Sequence, residues 1–254
     1  MVNILAVSDE TTLRGGGSTI ESTVKDNVDI LINCGDLPPE YIDYLTMQYR
    51  PAFNLMVHGN HDKSYYHIQG QQAKTPDVGF SKLYSADVIN KGIYKARPGR
   101  NNELINNLAI GGFSGSMTEG MNRERRWPFY FREKDAKRFV NNLKRERRWN
   151  QLLGKEYGID IMASHAAPDI GLFEGTPDTD VLNTIGSHHR PSKALGELYD
   201  EFNPALWLYG HIHSSYTTKN LDFAWKDSYM LNVVPFKLIV FDEKEKRVHD
   251  YYPK

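Results

Sequence analysis

Aspartate, asparagine and histidine recur in this chain where short apolar runs stop. ILAV runs into Ser8 and Asp9, DILINC into Gly35 and Asp36, and FNLMVH into Gly59, Asn60, His61 and Asp62. Two later runs end in Ser164-His165-Ala166-Ala167-Pro168 and Gly210-His211-Ile212-His213. Carboxylates, an amide oxygen and imidazoles together form a mixed oxygen and nitrogen donor set. Such a set suits Mn, Fe, Zn or Co rather than Mg alone. Each piece is weak by itself, since a Gly-Asp pair is an ordinary turn and a single strand-end histidine is commonly structural. Five such endings in one chain are not well explained by coincidence.

The runs that carry these residues are the length of buried strands. They lack polar alternation, as expected of a sheet covered on both faces. In such sheets the loops outside the carboxyl ends of parallel strands converge on the ligand site. Helical patterns lie between the strands. Ser18 and Glu21 have capping-box spacing ahead of a short helix, and Pro38-Pro39 begins a proline-started helix over EYIDYLTMQY. Residues 133–153 read as a longer charged helix ending before Gly154, and residues 192–202 as a helix started by Ser192. FKLIVFDEKEKRVHDYY reads as a hairpin with a charged turn. Together these elements predict an α/β sandwich formed by one domain, residues 1–254, with no linker, repeat or low-complexity tract.

The ordered pieces resemble the calcineurin-like metallophosphoesterases, whose signature is D-x-H, GD, GNH followed by an acid, a lone His, and G-H-x-H. The matching positions are Asp9, Gly35-Asp36, Gly59 to Asp62, His165, and Gly210 to His213. The likeness runs nearly end to end. It extends to HHRPSKALGELYDEFNPALWLYGHIH and LNVVPFKLIVFD, which look like the closing half of small bacterial predicted phosphohydrolases. The resemblance implies a four-layer α-β-β-α sandwich and a binuclear centre of two divalent ions, Mn or Fe first, with Zn, Co or Ni as alternatives. It implies that Asp36 bridges the ions, that Asp9 and His213 serve the first, and that Asn60, His165 and His211 serve the second. Two imidazoles separated by one residue on an extended segment project to the same side, so one segment could reach both ions. His61 is implied to donate a proton or hydrogen bond to the leaving-group oxygen. Asp62 either orients a histidine or backbone turn, or is a plain turn acid.

The departure is at Thr11, which stands where D-x-H has its histidine. A neutral hydroxyl is a poor replacement for imidazole on a first-row divalent metal. In strict strand geometry Glu10 points away from Asp9, and it reaches the metal only where the chain bends at the strand end. Three explanations are open. The first ion is held weakly by fewer protein ligands; Glu10 or a remote histidine (His58, His67, His188 or His189) completes it; or one metal suffices. The first two together are favoured.

Several features point elsewhere or nowhere. LRGGGS at residues 13–18 lacks the phosphate-loop pattern, and GGFSGS at 111–116 lacks nucleophile-elbow spacing. Cys34 reads as a packing cysteine. His189 and Arg190 either contact substrate phosphate or form a surface pair. From Arg123 to Arg148 there are eleven Lys/Arg against four Asp/Glu, interleaved with Trp127, Phe129, Tyr130 and Phe131. This stretch is either a phosphate-steering patch or, as preferred here, the solvated face of a surface helix and its preceding loop.

Composition narrows the classes. A net charge of -1 argues against a general nucleic-acid or membrane-surface binder, though a nucleic-acid substrate stays open. The single cysteine excludes an intramolecular disulfide framework and favours a reducing compartment. No leader pattern or membrane-length apolar run is seen, so a cytoplasmic protein is expected. The leading expectation is a metal-dependent hydrolase of a phosphoester small molecule or nucleotide-like substrate, a diester by analogy alone. The alternative is a binding module that kept the fold and lost the chemistry.

Overall fold

The computed structural model describes residues 1–11, 20–24, 27–62, 79–83, 86–95, 108–117, 130–171, 190–213, 221–225 and 227–253. The expectations for Ser18, the 13–18 loop, Trp127, Phe129, His67, His188 and His189 lie outside these residues.

Six of the apolar runs form the central strands. β1 (Val2–Val7), β2 (Ile30–Asn33) and β3 (Phe53–Met56) run parallel, as do β7 (Ala109–Phe113), β10 (Ile161–Ser164) and β11 (Leu206–Tyr209). The flanking strands are β4 (Gly79–Leu83), β5 (Ala86–Asn90), β6 (Gly92–Lys95), β12 (Phe223–Trp225), β13 (Ser228–Asn232), β14 (Phe236–Asp242) and β15 (Arg247–Tyr252). The first parallel set belongs to a seven-stranded sheet in the order β15-β14-β1-β2-β3-β5-β4, and the second to a six-stranded sheet in the order β12-β13-β11-β10-β7-β6. A short parallel pair, β8 (Ser116–Met117) with β9 (Tyr130–Phe131), stands apart. β14 and β15 are the expected antiparallel hairpin. β14 also pairs antiparallel with β1, from Val2 opposite Phe241 to Val7 opposite Phe236.

The absence of polar alternation has a direct cause: both faces of each central strand are buried. In β1, Val2, Ile4 and Ala6 face a core shared with Ile161 and Ala163 of β10 and Leu206 and Leu208 of β11. Leu5 and Val7 face the other way, against Ile20, Tyr41, Ile42 and Leu45. Those residues lie on α1 (Ile20–Thr23) and α2 (Pro39–Tyr49). On the far side Met162, Trp207 and Tyr209 pack on Phe139, Val140, Leu195 and Leu198, from α3 (Glu133–Leu152) and α4 (Lys193–Phe202). Each fully buried aliphatic side chain contributes roughly 1.5–3 kcal/mol, so the inter-sheet core is the main reason the sheets stay face to face. The layers are helix, sheet, sheet, helix, as expected.

The helices begin and end for local reasons. Pro39 opens α2, where a missing N–H costs nothing, and Arg50 closes it in the left-handed conformation at φ 46°. α3 starts with Asp135 accepting from the Arg132 amide at 3.1 Å and ends at Leu152, with Gly154 beyond it at φ 66°. Ser192 caps α4 by accepting from the Leu195 amide. Glu133 adds a second cap, accepting from the Lys193 and Ala194 amides at 2.8 and 3.1 Å. The ion pairs Lys137–Glu197 and Lys144–Glu201 continue the contact, so α3 and α4 run side by side in the same direction.

Candidate metal centre

The parallel strands of both sheets end on one rim, and the chain turns sharply there. Asp9, Asp36 and His211 have φ of 63°, 61° and 68°. Backbone held in this region is sparsely populated for residues with a side chain and recurs at functional sites. At Asp9 the turn is tied by the Glu10 amide to the Ser8 carbonyl at 2.7 Å, and by the Asp9 amide to the Gly35 carbonyl at 3.0 Å. Two glycines let the loops close on one another. A Cβ on Gly35 would stand 2.3 Å from the Gly59 nitrogen, and one on Gly59 would stand 2.1 Å from Asp36 Oδ1.

One ligand-type atom from each of Asp9, Asp36, His165 and His211 falls within 4.8 Å of every other. The first two come from the seven-stranded sheet and the last two from the six-stranded sheet. His165 is completely buried. Its Nδ1 lies 2.8 Å from the Cys34 carbonyl, while its Nε2 lies 3.2 Å from Asp36 Oδ2 and 2.9 Å from Asn60 Oδ1. The Asn60 amide nitrogen donates to the Tyr130 hydroxyl at 3.3 Å. The His211 ring lies against His165, with centroids 4.7 Å apart. Beneath His165, Trp207 Nε1 donates to Ser164 Oγ at 2.8 Å, and Ser164 donates to the Ala166 carbonyl, so the strand end is held from inside the core.

The Asp9 carboxylate is held on one oxygen. Oδ2 accepts from the Ser8 hydroxyl at 2.5 Å and from the His211 amide at 2.9 Å. Oδ1 is buried and accepts no hydrogen bond within ordinary geometry from the described residues, with His213 Nε2 3.3 Å away as an ion-pair neighbour. The other His213 nitrogen, Nδ1, meets Glu10 Oε1 at 2.8 Å. Asp62 accepts from the Gly59 amide at 2.7 Å and stands 3.7 Å from His58 Nδ1, both side chains being buried. His61 is exposed, and its backbone amide donates to Asp36 Oδ1 at 2.6 Å.

Charges in the cluster reinforce one another. Burial alone would raise the Asp9 carboxyl, but His165, His213, the Ser8 hydroxyl and the His211 amide hold it well below the usual range. Asp36 is also lowered: burial and Asp9 oppose the shift, and His165 outweighs them. Burial works against a charged His165, yet Asp36 and Asp9 lift it to about 9. Contact with Asp9 lifts His213 to about 9 against partial burial, with Glu10 adding to it. Burial pushes Asp62 up, the neighbouring His58 opposing, and pushes the Cys34 thiol up strongly. Cys34 is therefore a protonated packing group, as its position suggests.

Two expectations built on extended geometry need correction. Glu10 does not point away from the Asp9 side: the turn at Asp9 breaks the strand's alternation and brings Glu10 onto His213. Gly210 to His213 is not an extended segment either. His211 has φ 68°, and the Ile212 amide donates to the Gly210 carbonyl at 2.8 Å. Ile212 is buried in the core under α3 and α4, which leaves the two imidazoles on the rim. Thr11 is exposed and Arg190 is exposed. His58 is engaged with Asp62 and is not a member of the four-residue group. Ser8 was not anticipated as part of the site, and Tyr130 was named only within the basic, aromatic stretch and not as a partner of Asn60. The serine adjoining Asp9 offered a local signal, whereas Tyr130 carries none in its spacing.

The donor set suits divalent ions. Among the described residues it offers two carboxylates and two imidazoles in mutual reach, with a buried carboxylate oxygen that accepts no hydrogen bond from them. Among the described residues no helix is long and apolar enough to cross a membrane.

The family model for the calcineurin-like phosphoesterases matches residues 15–215. No curated protein matches. The crystal structure of TT1561 from Thermus thermophilus aligns over 98% of this chain and 97% of its own, at 11% identity and a TM-score of 0.52. Another crystal structure aligns over 97% and 96%, at 12% identity and a TM-score of 0.53. The phosphopantetheinyl hydrolase PptH of Mycobacterium tuberculosis aligns over 91% and 88%, at 15% identity and a TM-score of 0.45. The first two likenesses concern the fold alone. The family model spans most of the sequence, and this chain belongs to the calcineurin-like phosphoesterase family.

Proposed function

We propose that this protein is a metal-dependent phosphodiesterase working through two divalent ions, Mn or Fe, at the rim where the two sheets meet. The observation that carries the reading is the convergence of Asp9, Asp36, His165 and His211 within 4.8 Å. Asp36 would bridge the ions, Asp9 and His213 would hold the first, and Asn60, His165 and His211 the second. When bound, two such ions supply Lewis acidity that makes water nucleophilic near neutral pH and neutralises charge on phosphoryl oxygens. The chain's own residues supply the rest. Asp36 and Asn60 fix the ligand frame by hydrogen bonds made before any substrate arrives, which is the preorganisation that electrostatic catalysis needs. His61, exposed on the open side, moves a proton from its imidazole to the departing oxygen. Asp62 ties the Gly59 amide and so sets the loop that presents Asn60 and His61.

The inter-sheet core draws on strands from both ends of the sequence, which supports one domain over residues 1–254. A reducing, cytoplasmic setting is proposed on the single buried cysteine. The test is elemental analysis of protein purified without chelator, followed by a phosphoester panel on the same sample. Bound transition metal with diester turnover exceeding monoester turnover is the expected result. An empty centre with no turnover after added Mn²⁺ would instead favour a binding module, the reading that Thr11 supports.

A further inference from the structure

We propose that Glu10 is the positioning residue of His213: it accepts the Nδ1 proton and holds Nε2 on the Asp9 side, where the first ion would sit. The inference rests on the metal reading above. Glu10 Oε1 is 2.8 Å from Nδ1, and Nε2 is 3.3 Å from Asp9 Oδ1. The two nitrogens face different directions from the ring, so a carboxylate on Nδ1 sits behind the ligand nitrogen. A histidine whose Nδ1 donates to a carboxylate keeps the Nε2 lone pair for the metal, and its ring orientation is fixed. His213 needs such a partner: its side chain is 27% exposed and lies at the end of a segment that has left the strand.

The geometry also explains how this chain tolerates Thr11. With no imidazole two residues after Asp9, the first ion depends more heavily on Asp9 and His213. The same turn that spoils the strand spacing at Asp9 swings Glu10 onto His213. Glu10 therefore compensates for the missing ligand indirectly, by stiffening a remaining one, rather than by replacing it.

The experiment titrates Mn²⁺ into metal-free full-length wild type, Glu10→Gln and Glu10→Ala, reading the affinity of the weaker site. It also follows the His213 Nδ1 proton by NMR in ¹⁵N-labelled, Zn²⁺-loaded protein. Glu10→Ala is expected to weaken the first ion about tenfold, the low end for loss of a ligand's hydrogen-bonded partner, and to lose the protected proton signal. Glu10→Gln keeps an acceptor, so it should retain the signal and stay within about threefold of wild type. Equal losses in the two variants would mean that Glu10 is itself a ligand, overturning the proposal. An unchanged Glu10→Ala would overturn it as well. Wild type that takes up no metal would defeat the metal reading and this inference with it, whereas normal uptake with an indifferent Glu10 defeats only the inference.

Discussion

Loading of the centre should be proton-coupled. In the metal-free protein His165 and His213 each titrate near pH 9 rather than near 6.5, because they sit against Asp9, Asp36 and Glu10. Both are thus charged at pH 7, and an imidazole must be neutral to bind a metal. For the buried His165, giving up that proton at pH 7, about two pH units below where it titrates, costs roughly 3 kcal/mol; solvent screening makes the cost smaller at the half-buried His213. With one imidazole displaced per ion, affinity for each ion should rise about tenfold per pH unit from 6.5 toward 9, then level off. Full loading at pH 7 should release about two protons. Calorimetric titration with Mn²⁺ between pH 6.5 and 8, in buffers of unequal ionisation enthalpy, measures both quantities. The same shifts act on folding. A histidine raised in the folded state stabilises it fully below its unfolded value, and that contribution is lost as pH climbs through the folded value. Metal-free protein should therefore lose up to about 3 kcal/mol from His165 between pH 6.5 and 9, and its Tm should fall over that window. Uptake without proton release at pH 7, or a metal-free Tm that is flat over the window, would refute the electrostatic picture of the cluster.

Three substitutions probe other parts of the argument. His61→Gln should slow esters with alkoxide leaving groups about a hundredfold or more, spare nitrophenyl esters, and leave metal content unchanged; kinetics on paired substrates separate these outcomes. Gly59→Ala sets a methyl against Asp36, where a Cβ would be 2.1 Å from Oδ1 and 2.7 Å from the backbone nitrogen. It should cost about 1–3 kcal/mol by denaturant unfolding and reduce metal stoichiometry. Glu133→Ala removes the acceptor for the Lys193 and Ala194 amides; a loss of about 1 kcal/mol should lower Tm by about 2–4 °C, with turnover untouched.

The central strands were legible because burial on both faces leaves an unbroken apolar signature, and the residues meeting at the rim were legible because they sit just past those strands. The edge strands β4 and β6, and β5 beside β4, were not anticipated. What failed was geometry carried over from the strand to its end. Alternation predicts side-chain direction only while φ and ψ stay extended, and Asp9 and His211 leave that region. Glu10 on His213 and the bend within Gly210 to His213 were therefore invisible to spacing. Contacts such as Tyr130 with Asn60 span 70 residues, and Glu133 reaches α4 across 60. Nothing local in the sequence encodes those pairs; they follow from which layers are stacked. The long basic helix resolved into its plainer reading in part. Lys137, Lys144 and Arg147 are spent on Glu197 and Glu201, and Arg132 on Asp135.

The place of β14 bears on the order in which a nascent chain can mature. β1 ends at the residue before Ser8 and Asp9, and one of its two neighbours is supplied by residues 236–242. The Ser8 amide itself is tied to the Pro235 carbonyl at 3.2 Å. Until that late segment leaves the ribosome, the strand bearing Asp9 has an open hydrogen-bonding edge, the kind of surface that templates aggregation. The earliest-made part of the rim is thus among the last to be locked. Synthesis must pass residues 235–242 before the strand that carries Asp9 has both of its neighbours.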